Sequence, residues 1–294
     1  MKILVLGSKG QLGQCLEKEF QSTNHNVIYT SREQIDVGDL LVAKDKITRI
    51  DPDVVINATA YVAVDSAESD AETAILINHL AVANIAKTCQ EINCLLVHIS
   101  TDYVFDGDLD RPYNEADVTN PQTVYGQSKL DGELAIQSAS CKYLIIRTAW
   151  VFSEFGNNFL KTMLRIGSQK DQISVVDDQV GSPTYAPDIA KAVIATLPVL
   201  MSGKGMGVYH YAGVTSCSWA HFAKRIFNST RNIGVGNIMP IVIPISSKEY
   251  PTPALRPKNS RLDSTQFEAV FGFKGSDWEV GIRDALRALD KLNK

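Results

Sequence analysis

The sequence predicts an α/β protein built on a doubly wound parallel sheet, with a smaller C-terminal region. Two observations predict this fold. Short apolar runs alternate with helical patterns from Ile3 to Arg147, which is typical of successive βαβ units. A glycine-rich turn at residues 7–13 follows the first strand and opens the first helix. In folds of this kind, ligands bind at the carboxyl ends of the strands.

Each element follows from apolar spacing and from turn residues. We predict strands at residues 3–6, 27–29, 54–56, 95–99 and 143–147, with helices at 11–20, 40–50, 67–91 and 125–137. Beyond Trp150 the alternation of strands and helices is less regular. Here we predict a helix at 159–166, a strand at 173–176 and a helix at 187–197. Capping boxes are predicted at Thr265 with Glu268 and at Ser276 with Glu279. The proline-rich stretch 250–257 is predicted to be an extended loop that lines a cleft.

Composition narrows the classes of partner and compartment. The 294 residues carry 29 Lys and Arg against 33 Asp and Glu, so a net charge of -4 gives no field favouring nucleic acid or an anionic membrane. The five cysteines form no C-x-x-C pair, which argues against a disulfide framework or a zinc ribbon and favours a reducing compartment. We find neither a signal peptide nor an apolar run of the ~20 residues that span a membrane. A cytoplasmic protein is therefore expected.

The glycine turn predicts a dinucleotide site. Gly7 and Gly10 let the backbone turn tightly and approach a pyrophosphate at the helix N-terminus. The spacing is G-x-x-G-x-x-G rather than the G-x-G-x-x-G fingerprint, so a plain βα turn is the alternative. The position in the first βα unit favours dinucleotide binding.

The end of the second strand bears on the choice of cofactor. An acidic residue near this point usually holds the ribose 2′-hydroxyl of NAD. Here Ser31 and Arg32 could instead bind a 2′-phosphate by hydrogen bond and charge, which predicts NADPH. Glu33 follows and keeps NADH possible, and the alternative for Arg32 is a solvated loop charge.

Three further residues suggest carbonyl reduction. Tyr125 and Lys129 are four residues apart and share one helix face, where the ammonium would lower the pKa of the phenol. The Thr101 hydroxyl, after the fourth strand, could bind the same carbonyl oxygen. Such a set protonates an alkoxide as a hydride arrives. A chance, exposed Y-x-x-x-K pair is the alternative, and His98 is expected to be a core side chain rather than a ligand.

With these motifs the chain resembles the extended short-chain dehydrogenase/reductases, which have a Rossmann-like fold, and within them the family of dTDP-4-dehydrorhamnose reductases. The resemblance rests on AYVAVDSAE (60–68), STDYVFDG (100–107), YGQSK (125–129), RTAWV (147–151), DQVGSPT (178–184) and LRPKNS (255–260). It implies NAD(P)H-dependent reduction of the 4-keto group of a dTDP-linked 6-deoxyhexose, giving dTDP-L-rhamnose for surface polysaccharides. The implied partner is this small molecule, with the chain a monomer or a homodimer.

The resemblance also implies roles for individual residues. Those lining the cofactor would be Gly7, Gly10, Gln11, Leu12, Ala58, Thr59 and Ala60, together with Tyr125 and Lys129, whose amine would hold the nicotinamide ribose. Those contacting the sugar nucleotide would be Val64, Thr101, Asp102, Tyr103, Trp150 and Arg256. In related proteins an Asn at the place of Asn78 helps to position the lysine through a water, and the alternative is an Asn that serves only in helix packing. We expect no metal, because Cys15 stands where some members carry a glutamate that contributes to a magnesium site.

This assignment implies a division of the chain and leaves alternatives. Residues 1–150 with 171–200 would form the dinucleotide-binding domain, and 151–170 with 201–294 the substrate-binding domain. A 4,6-dehydratase or 4-epimerase of the same superfamily is one alternative, although Thr101-Asp102-Tyr103 lacks the glutamate of the dehydratases. A non-catalytic, dinucleotide-binding regulatory subunit is another.

Overall fold

A six-stranded parallel sheet forms the centre of the molecule, in a computed structural model that describes residues 1–233 and 240–292. Its first five strands are β1 (Lys2–Leu6), β2 (Asn26–Thr30), β3 (Val54–Asn57), β4 (Leu95–Thr101) and β5 (Lys142–Thr148). The sixth, β10 (Gly207–His210), pairs in parallel with β5, so the order is β10-β5-β4-β3-β1-β2. Because the strands between the edges are almost wholly buried, they appear in the sequence as continuous apolar runs.

Helices cover both faces of this sheet. On one face, α1 (Gln11–Phe20) packs against α8 (Ala186–Met201) over an apolar core that includes Ile3 and Val97. On the other face, α2 (Leu40–Ile50), α5 (Ala81–Glu91) and α6 (Val124–Ser138) cover a second core that includes Leu4 and Leu96. Neighbouring residues of one strand thus point into different cores, as the pleat requires. The predicted doubly wound α/β fold is confirmed.

A third, aromatic-rich core lies beyond the sheet. The strands outside the central sheet are β6 (Val151–Phe152), β7 (Gln172–Val176), β8 (Val180–Gly181), β9 (Thr184–Tyr185), β11 (Cys217–Ser218), β12 (Ile241–Ile245) and β13 (Asn259–Ser260). The helices are α7 (Phe159–Gly167), α9 (Trp219–Ile233) and α11 (Trp278–Leu292), whereas α10 (Thr265–Phe271) packs through Phe267 and Phe271 into the core that includes Ile3 and Val97. Side chains such as Phe152, Phe222 and Trp278 pack together in this core.

The predicted helix over residues 67–91 is wrong at its start. A short helix α3 (Val64–Ala67) ends before it, and α4 (Ala71–Ile75) begins after Asp70, whose carboxylate accepts a hydrogen bond from the Thr73 amide. A π-helical turn (Leu76–Leu80) then joins α4 to α5. Because Asp70 can cap a helix, it provides a start that apolar spacing alone does not reveal.

Both predicted capping boxes are also wrong. Thr265 is already the first residue of α10, and its hydroxyl donates to the Asp263 carboxylate. At α11 the cap is Asp277, which accepts from the amides of the two residues that follow Trp278, while the Ser276 hydroxyl donates to Asp188. At α11 Asp277 accepts from the Glu279 amide that the motif assigns to the Ser276 hydroxyl, whereas at α10 the Glu268 amide donates to the Ser264 carbonyl oxygen.

Two strands do not follow the predicted division of the chain into two domains. The division itself stays a prediction. β7 pairs with β12 outside the central sheet, whereas β10 completes the sheet from the part of the chain that the division gives to the substrate-binding domain. Positions 234–239 and 293–294 of that part lie outside the described residues. Among the helices of the described ranges, none is both long and apolar enough to span a bilayer.

Candidate active site

The glycine turn forms the floor of the site. Gly7 has a φ of 83°, in the left-handed region that favours glycine. A Cβ at Gly13 would lie 2.2 Å from the Gly7 carbonyl oxygen, so α1 packs directly on the turn. Gly10 precedes α1 and provides no side-chain cap, which leaves N–H groups of the first turn able to bind phosphate oxygens.

Three cavities of about 360 to 430 Å³ lie in this region, a size typical of small-molecule sites, and Gly10 of the turn lines two of them. The central cavity contains, among the predicted residues, Gly10, Gln11, Leu12, Ala58, Thr59, Ala60, Val64, Thr101, Asp102, Tyr103, Tyr125, Lys129 and Trp150. The Arg32 cavity adjoins it through shared Gly10, Ala58, Thr59 and Ala60, and adds Gly7 and Arg32. The Arg256 cavity lies beyond Tyr103 and Trp150.

The Arg32 cavity has mixed charge. Arg32 is exposed and pairs with Asp36 at 3.0 Å, and Lys9, which the sequence reasoning missed, lines the same cavity and pairs with Glu33 at 3.1 Å. The predicted partner Ser31 is not brought to this cavity, because it is buried and its hydroxyl donates to Glu33. Lys9 could have been found as the basic residue inside the glycine turn.

The three predicted catalytic side chains meet in the central cavity. Thr101 is the last residue of β4, and Tyr125 and Lys129 lie in the first two turns of α6. The Thr123 hydroxyl caps this helix by accepting from the Gly126 amide at 2.9 Å. A Cβ at Gly126 would lie 2.2 Å from the Tyr103 carbonyl oxygen, so glycine lets α6 approach the end of β4.

Electrostatics in this cavity differ from the prediction. Burial raises the pKa of Tyr125 above its ordinary value, and a hydrogen bond with Thr101 opposes that effect. Burial lowers the pKa of Lys129 to about 8. The expectation that Lys129 lowers the phenol pKa is therefore wrong here. The Lys129 amine is engaged elsewhere, donating to the Ile99 carbonyl oxygen at 2.7 Å.

Two buried polar residues, His98 and Asn78, form hydrogen bonds in the neighbourhood of Lys129. His98 is fully buried, as expected of a core side chain, but its Nε2 lies 3.1 Å from the Lys129 Nζ, a contact that the sequence reasoning missed. Asn78, on the π-helical turn, does not reach the lysine directly. Its amide donates to the Ser128 hydroxyl at 3.0 Å and binds both backbone groups of Tyr61. Asn78 thus ties α6 to the loop after β3.

Asp102 brings a buried carboxylate to the central cavity. Its Oδ1 accepts from the Thr101 hydroxyl at 3.0 Å, whereas its Oδ2 is buried without a well-oriented hydrogen-bond partner among the described residues. Burial raises the pKa of this carboxyl to about 6. An unpaired buried acceptor is costly unless a ligand completes it.

The Arg256 cavity has a cation beside aromatic rings. Arg256 donates to Asp65 at 2.7 Å and to the Tyr103 hydroxyl at 3.2 Å. Trp150, with a φ of 47°, stacks on Trp219 with ring centroids 3.4 Å apart. Since Trp150 lines the central cavity and Trp219 the Arg256 cavity, this pair forms part of the wall between them. Trp219 was missed because only the fold brings it to Trp150.

The position of Cys15 gives no direct sign of a metal site. Cys15 is buried on α1, and its pKa is raised, to about 12, by burial and by nearby Glu154. Within the described ranges no group of three or more His, Cys, Asp or Glu side chains is arranged to hold a metal ion. The absence of a metal stays a prediction.

The site combines three features: a glycine-rich turn that can approach a dinucleotide, hydroxyl groups suited to carbonyl reduction, and a second cavity that contains a cation. These features are typical of a Rossmann-like, NAD(P)H-dependent oxidoreductase. Residues 1–291 match the family model described as the RmlD substrate binding domain. The chain belongs to this family, that of the dTDP-4-dehydrorhamnose reductases.

Individual relatives are similar over their whole length. The dTDP-4-dehydrorhamnose reductase of Aggregatibacter actinomycetemcomitans is 38% identical over 96% of this chain and 97% of its own, and that of Escherichia coli (strain K12) is 36% identical over 98% of each. The crystal structure of the Bacillus anthracis dTDP-4-dehydrorhamnose reductase in complex with NADP has a TM-score of 0.90 at 34% identity, covering 98% of this chain and 99% of that one. A Campylobacter jejuni UDP-Glc/GlcNAc 4-epimerase has a TM-score of 0.79 at 16% identity, covering 99% of each chain, which shows a shared fold alone.

Proposed function

We propose that this chain uses NADPH to reduce the 4-keto group of dTDP-4-dehydro-6-deoxy-L-mannose (dTDP-4-dehydrorhamnose), yielding dTDP-L-rhamnose for surface polysaccharides. The observation that carries this proposal is the meeting of Thr101, Tyr125 and Lys129 in one cavity above the glycine turn. The names of the curated relatives, similar along the whole chain, support the choice of substrate.

The residues fit a dinucleotide. A side chain at Gly13 would clash with the turn, and the loop of Ala58, Thr59 and Ala60 lines both cavities that the cofactor would occupy. When bound, the reduced nicotinamide supplies a hydride to the carbonyl carbon. The cations Arg32 and Lys9 suit a 2′-phosphate, and the complex of the Bacillus anthracis relative with NADP supports NADPH. The acidic neighbours of these cations keep NADH possible.

Tyr125 would act as the proton donor. Because burial raises its pKa, the phenol holds its proton at neutral pH, as a donor in the reducing direction must. With substrate bound, the Thr101 hydroxyl would turn from Asp102 Oδ1 to donate a second hydrogen bond to the carbonyl oxygen and stabilise the charge that develops there. Lys129, which β4 holds through the Ile99 carbonyl oxygen, would bind the ribose next to the nicotinamide.

The sugar nucleotide would extend from the central cavity into the Arg256 cavity. The Arg256 guanidinium suits the diphosphate, because its planar donors match phosphate oxygens. Asp102 Oδ2, which has no well-oriented hydrogen-bond partner among the described residues, suits a sugar hydroxyl whose O–H would complete this buried acceptor. Val64, Tyr103 and Trp150 would complete the walls.

The direct test is to supply dTDP-4-dehydrorhamnose with NADPH or with NADH, and to follow loss of the reduced-nicotinamide absorbance. We expect rapid oxidation of NADPH, slower oxidation of NADH, and dTDP-L-rhamnose as the product. No oxidation with either cofactor would contradict the proposal. Tightly bound NAD in the purified protein would point instead to a 4-epimerase, and stable co-purification with another enzyme would point to a regulatory subunit.

We further propose that the chain works in the cytoplasm as a monomer or a homodimer. All five cysteines are free thiols in the described structure, which supports a reducing compartment.

A further inference from the structure

A line of buried polar side chains connects the cofactor loop with Lys129. Asn57 and His98 stand opposite each other on β3 and β4, and both are fully buried. The Asn57 amide nitrogen lies 3.1 Å from His98 Nδ1, and His98 Nε2 lies 3.1 Å from Lys129 Nζ. The other end of the line is Thr59, which lines the central cavity.

The backbone fixes the direction of these hydrogen bonds. The Thr59 amide can only donate, and it lies 3.1 Å from one end of the Asn57 side chain, which must therefore be the oxygen. The Thr59 hydroxyl donates to the same oxygen at 2.6 Å. The amide nitrogen of Asn57 thus faces His98 and donates to Nδ1, so the amide is not free to flip.

This direction sets the tautomer of His98. A neutral imidazole has one donor and one acceptor nitrogen, and a nitrogen that accepts from Asn57 leaves the proton on Nε2. That N–H points at Lys129 Nζ. A neutral Lys129 amine can accept it while donating to the Ile99 carbonyl oxygen. An ammonium has no lone pair, so charging Lys129 breaks one hydrogen bond along the line.

We propose that Asn57 and His98 are a pair of positioning residues that decreases the basicity of the Lys129 amine. This inference rests on the proposed function, in which Tyr125 loses one proton in every turnover. A neighbouring lysine that exchanges its own proton near working pH can help to reprotonate Tyr125. A lysine that stays protonated at that pH cannot. His98 acts through Lys129 and not on the substrate.

The other ionisable groups near Lys129 do not replace this effect. On α6, Glu133 favours the ammonium, but its carboxylate is itself held by Arg147 at 2.6 Å and by the Ser100 hydroxyl. Tyr125 on α6 and Asp102 after β4 line the same cavity, and both have raised pKa values. The pKa of Lys129 is nevertheless lowered, with burial as the largest cause, and that of His98 is held well below its usual range by burial and by Lys129.

Nitrogen NMR of protein labelled with ¹⁵N-histidine tests the tautomer without any substrate. At alkaline pH, where Lys129 is an amine, we expect the His98 signals of a neutral ring protonated on Nε2. A ring protonated on Nδ1, or an imidazolium, would overturn the proposal. As the pH falls, the same signals should move with the midpoint at which Lys129 takes up its proton. That midpoint is measured independently by carbon NMR of labelled lysine, assigned with Lys129→Met.

Two substitutions at Asn57 test the direction of the effect. Asn57→Asp keeps both acceptor bonds to Thr59 but turns the donor into an acceptor, so Nε2 becomes free to accept from an ammonium. Asn57→Ala removes the donor without adding charge. Each substitution removes the hydrogen bond that opposes protonation of Lys129. The pH midpoint of Lys129 protonation should therefore rise by about one unit in each variant.

A matched control is His210→Gln. His210 is equally buried and bonds to the Tyr113 carbonyl oxygen at 3.0 Å; it lies 3.5 Å from Arg147 Nη1 but is not hydrogen-bonded to Lys129 or His98. It should leave the Lys129 midpoint unchanged. A merely structural role for Asn57 would lower stability without moving the midpoint, and an unmoved midpoint in Asn57→Ala would overturn the proposal. If the wild-type chain does not oxidise NADPH although these NMR results hold, the proposed function fails and the inference about Lys129 stands.

Discussion

The Lys129 amine donates a hydrogen bond of 2.7 Å to the carbonyl oxygen of Ile99, two residues before Thr101 on the same strand. The central lysine of the site is therefore fixed from the sheet rather than by its own helix. This arrangement removes a cation almost entirely from water, since Lys129 is 1% exposed. Burial of this cation carries an energetic cost in the folded state.

Lys129→Met should stabilise the protein while inactivating it. The lysine pKa falls from 10.5 unfolded to about 8 folded, so the folded state releases the proton first and stability rises between these pH values. Below pH 8 the full cost of about 3 kcal/mol is present. We expect Lys129→Met to raise Tm at pH 7 and to lower kcat at least about 100-fold. The exposed Lys87→Met should change neither. A loss of stability at pH 7 would contradict this account.

Asp102→Asn should remove an acidic limb from the pH profile. Because burial raises this carboxyl pKa to about 6, the carboxylate that accepts a sugar hydroxyl forms only above that pH. In the wild type, kcat/KM should rise with pH through about 6, and Asp102→Asn should flatten that rise and increase KM. The raised pKa also means that the folded state holds an extra proton between about pH 4 and 6. This group therefore lowers stability as pH rises through that window. An unaltered acidic limb in the variant would refute the role of Asp102.

Arg32→Ala should reduce the preference for NADPH over NADH. Loss of one charge-assisted contact with the 2′-phosphate should raise KM for NADPH about tenfold and leave KM for NADH nearly unchanged. Arg49→Ala is the matched control, because Arg49 is also exposed and also pairs with an aspartate four residues away, Asp45. Equal effects on both cofactors would show that Arg32 does not read the phosphate.

Arg256→Gln should weaken binding of the sugar nucleotide. We expect KM for the substrate to rise about 10- to 100-fold with a smaller change in kcat, because the diphosphate lies away from the reacting carbonyl. Arg256→Lys should recover part of the loss, since a lysine keeps the charge but not the planar pair of donors. The exposed Arg287→Gln serves as control. An unchanged substrate KM would remove Arg256 from the diphosphate site.

The sequence predicts the first five strands to within two residues at each end, because these strands are buried and form continuous apolar runs. Strand β10 was missed, since its four residues include polar and aromatic side chains and no flanking pattern. The two capping boxes do not form, because α10 begins one residue earlier than the motif requires and Asp277 accepts from the Glu279 amide at α11. Local motifs state which bonds are possible, and only neighbours in space decide which ones form.

The same limit applies to the site. The glycine turn and the Tyr125–Lys129 spacing are local, so both could be found in the sequence. The contact of Lys129 with His98 crosses from helix to strand over 31 residues, and the stacking of Trp150 on Trp219 spans still more of the chain. The pKa of Tyr125 was predicted in the wrong direction, because its burial could not be known from spacing.

The most direct test of the central claim is the turnover of Tyr125→Phe with saturating NADPH and dTDP-4-dehydrorhamnose, measured beside its affinity for NADPH. The phenylalanine keeps the ring that packs edge-on against Tyr103 and removes only the hydroxyl. We predict that kcat falls about 10²- to 10⁴-fold while the Kd for NADPH stays close to the wild-type value. A kcat near that of the wild type would contradict the assignment of Tyr125 as the proton donor.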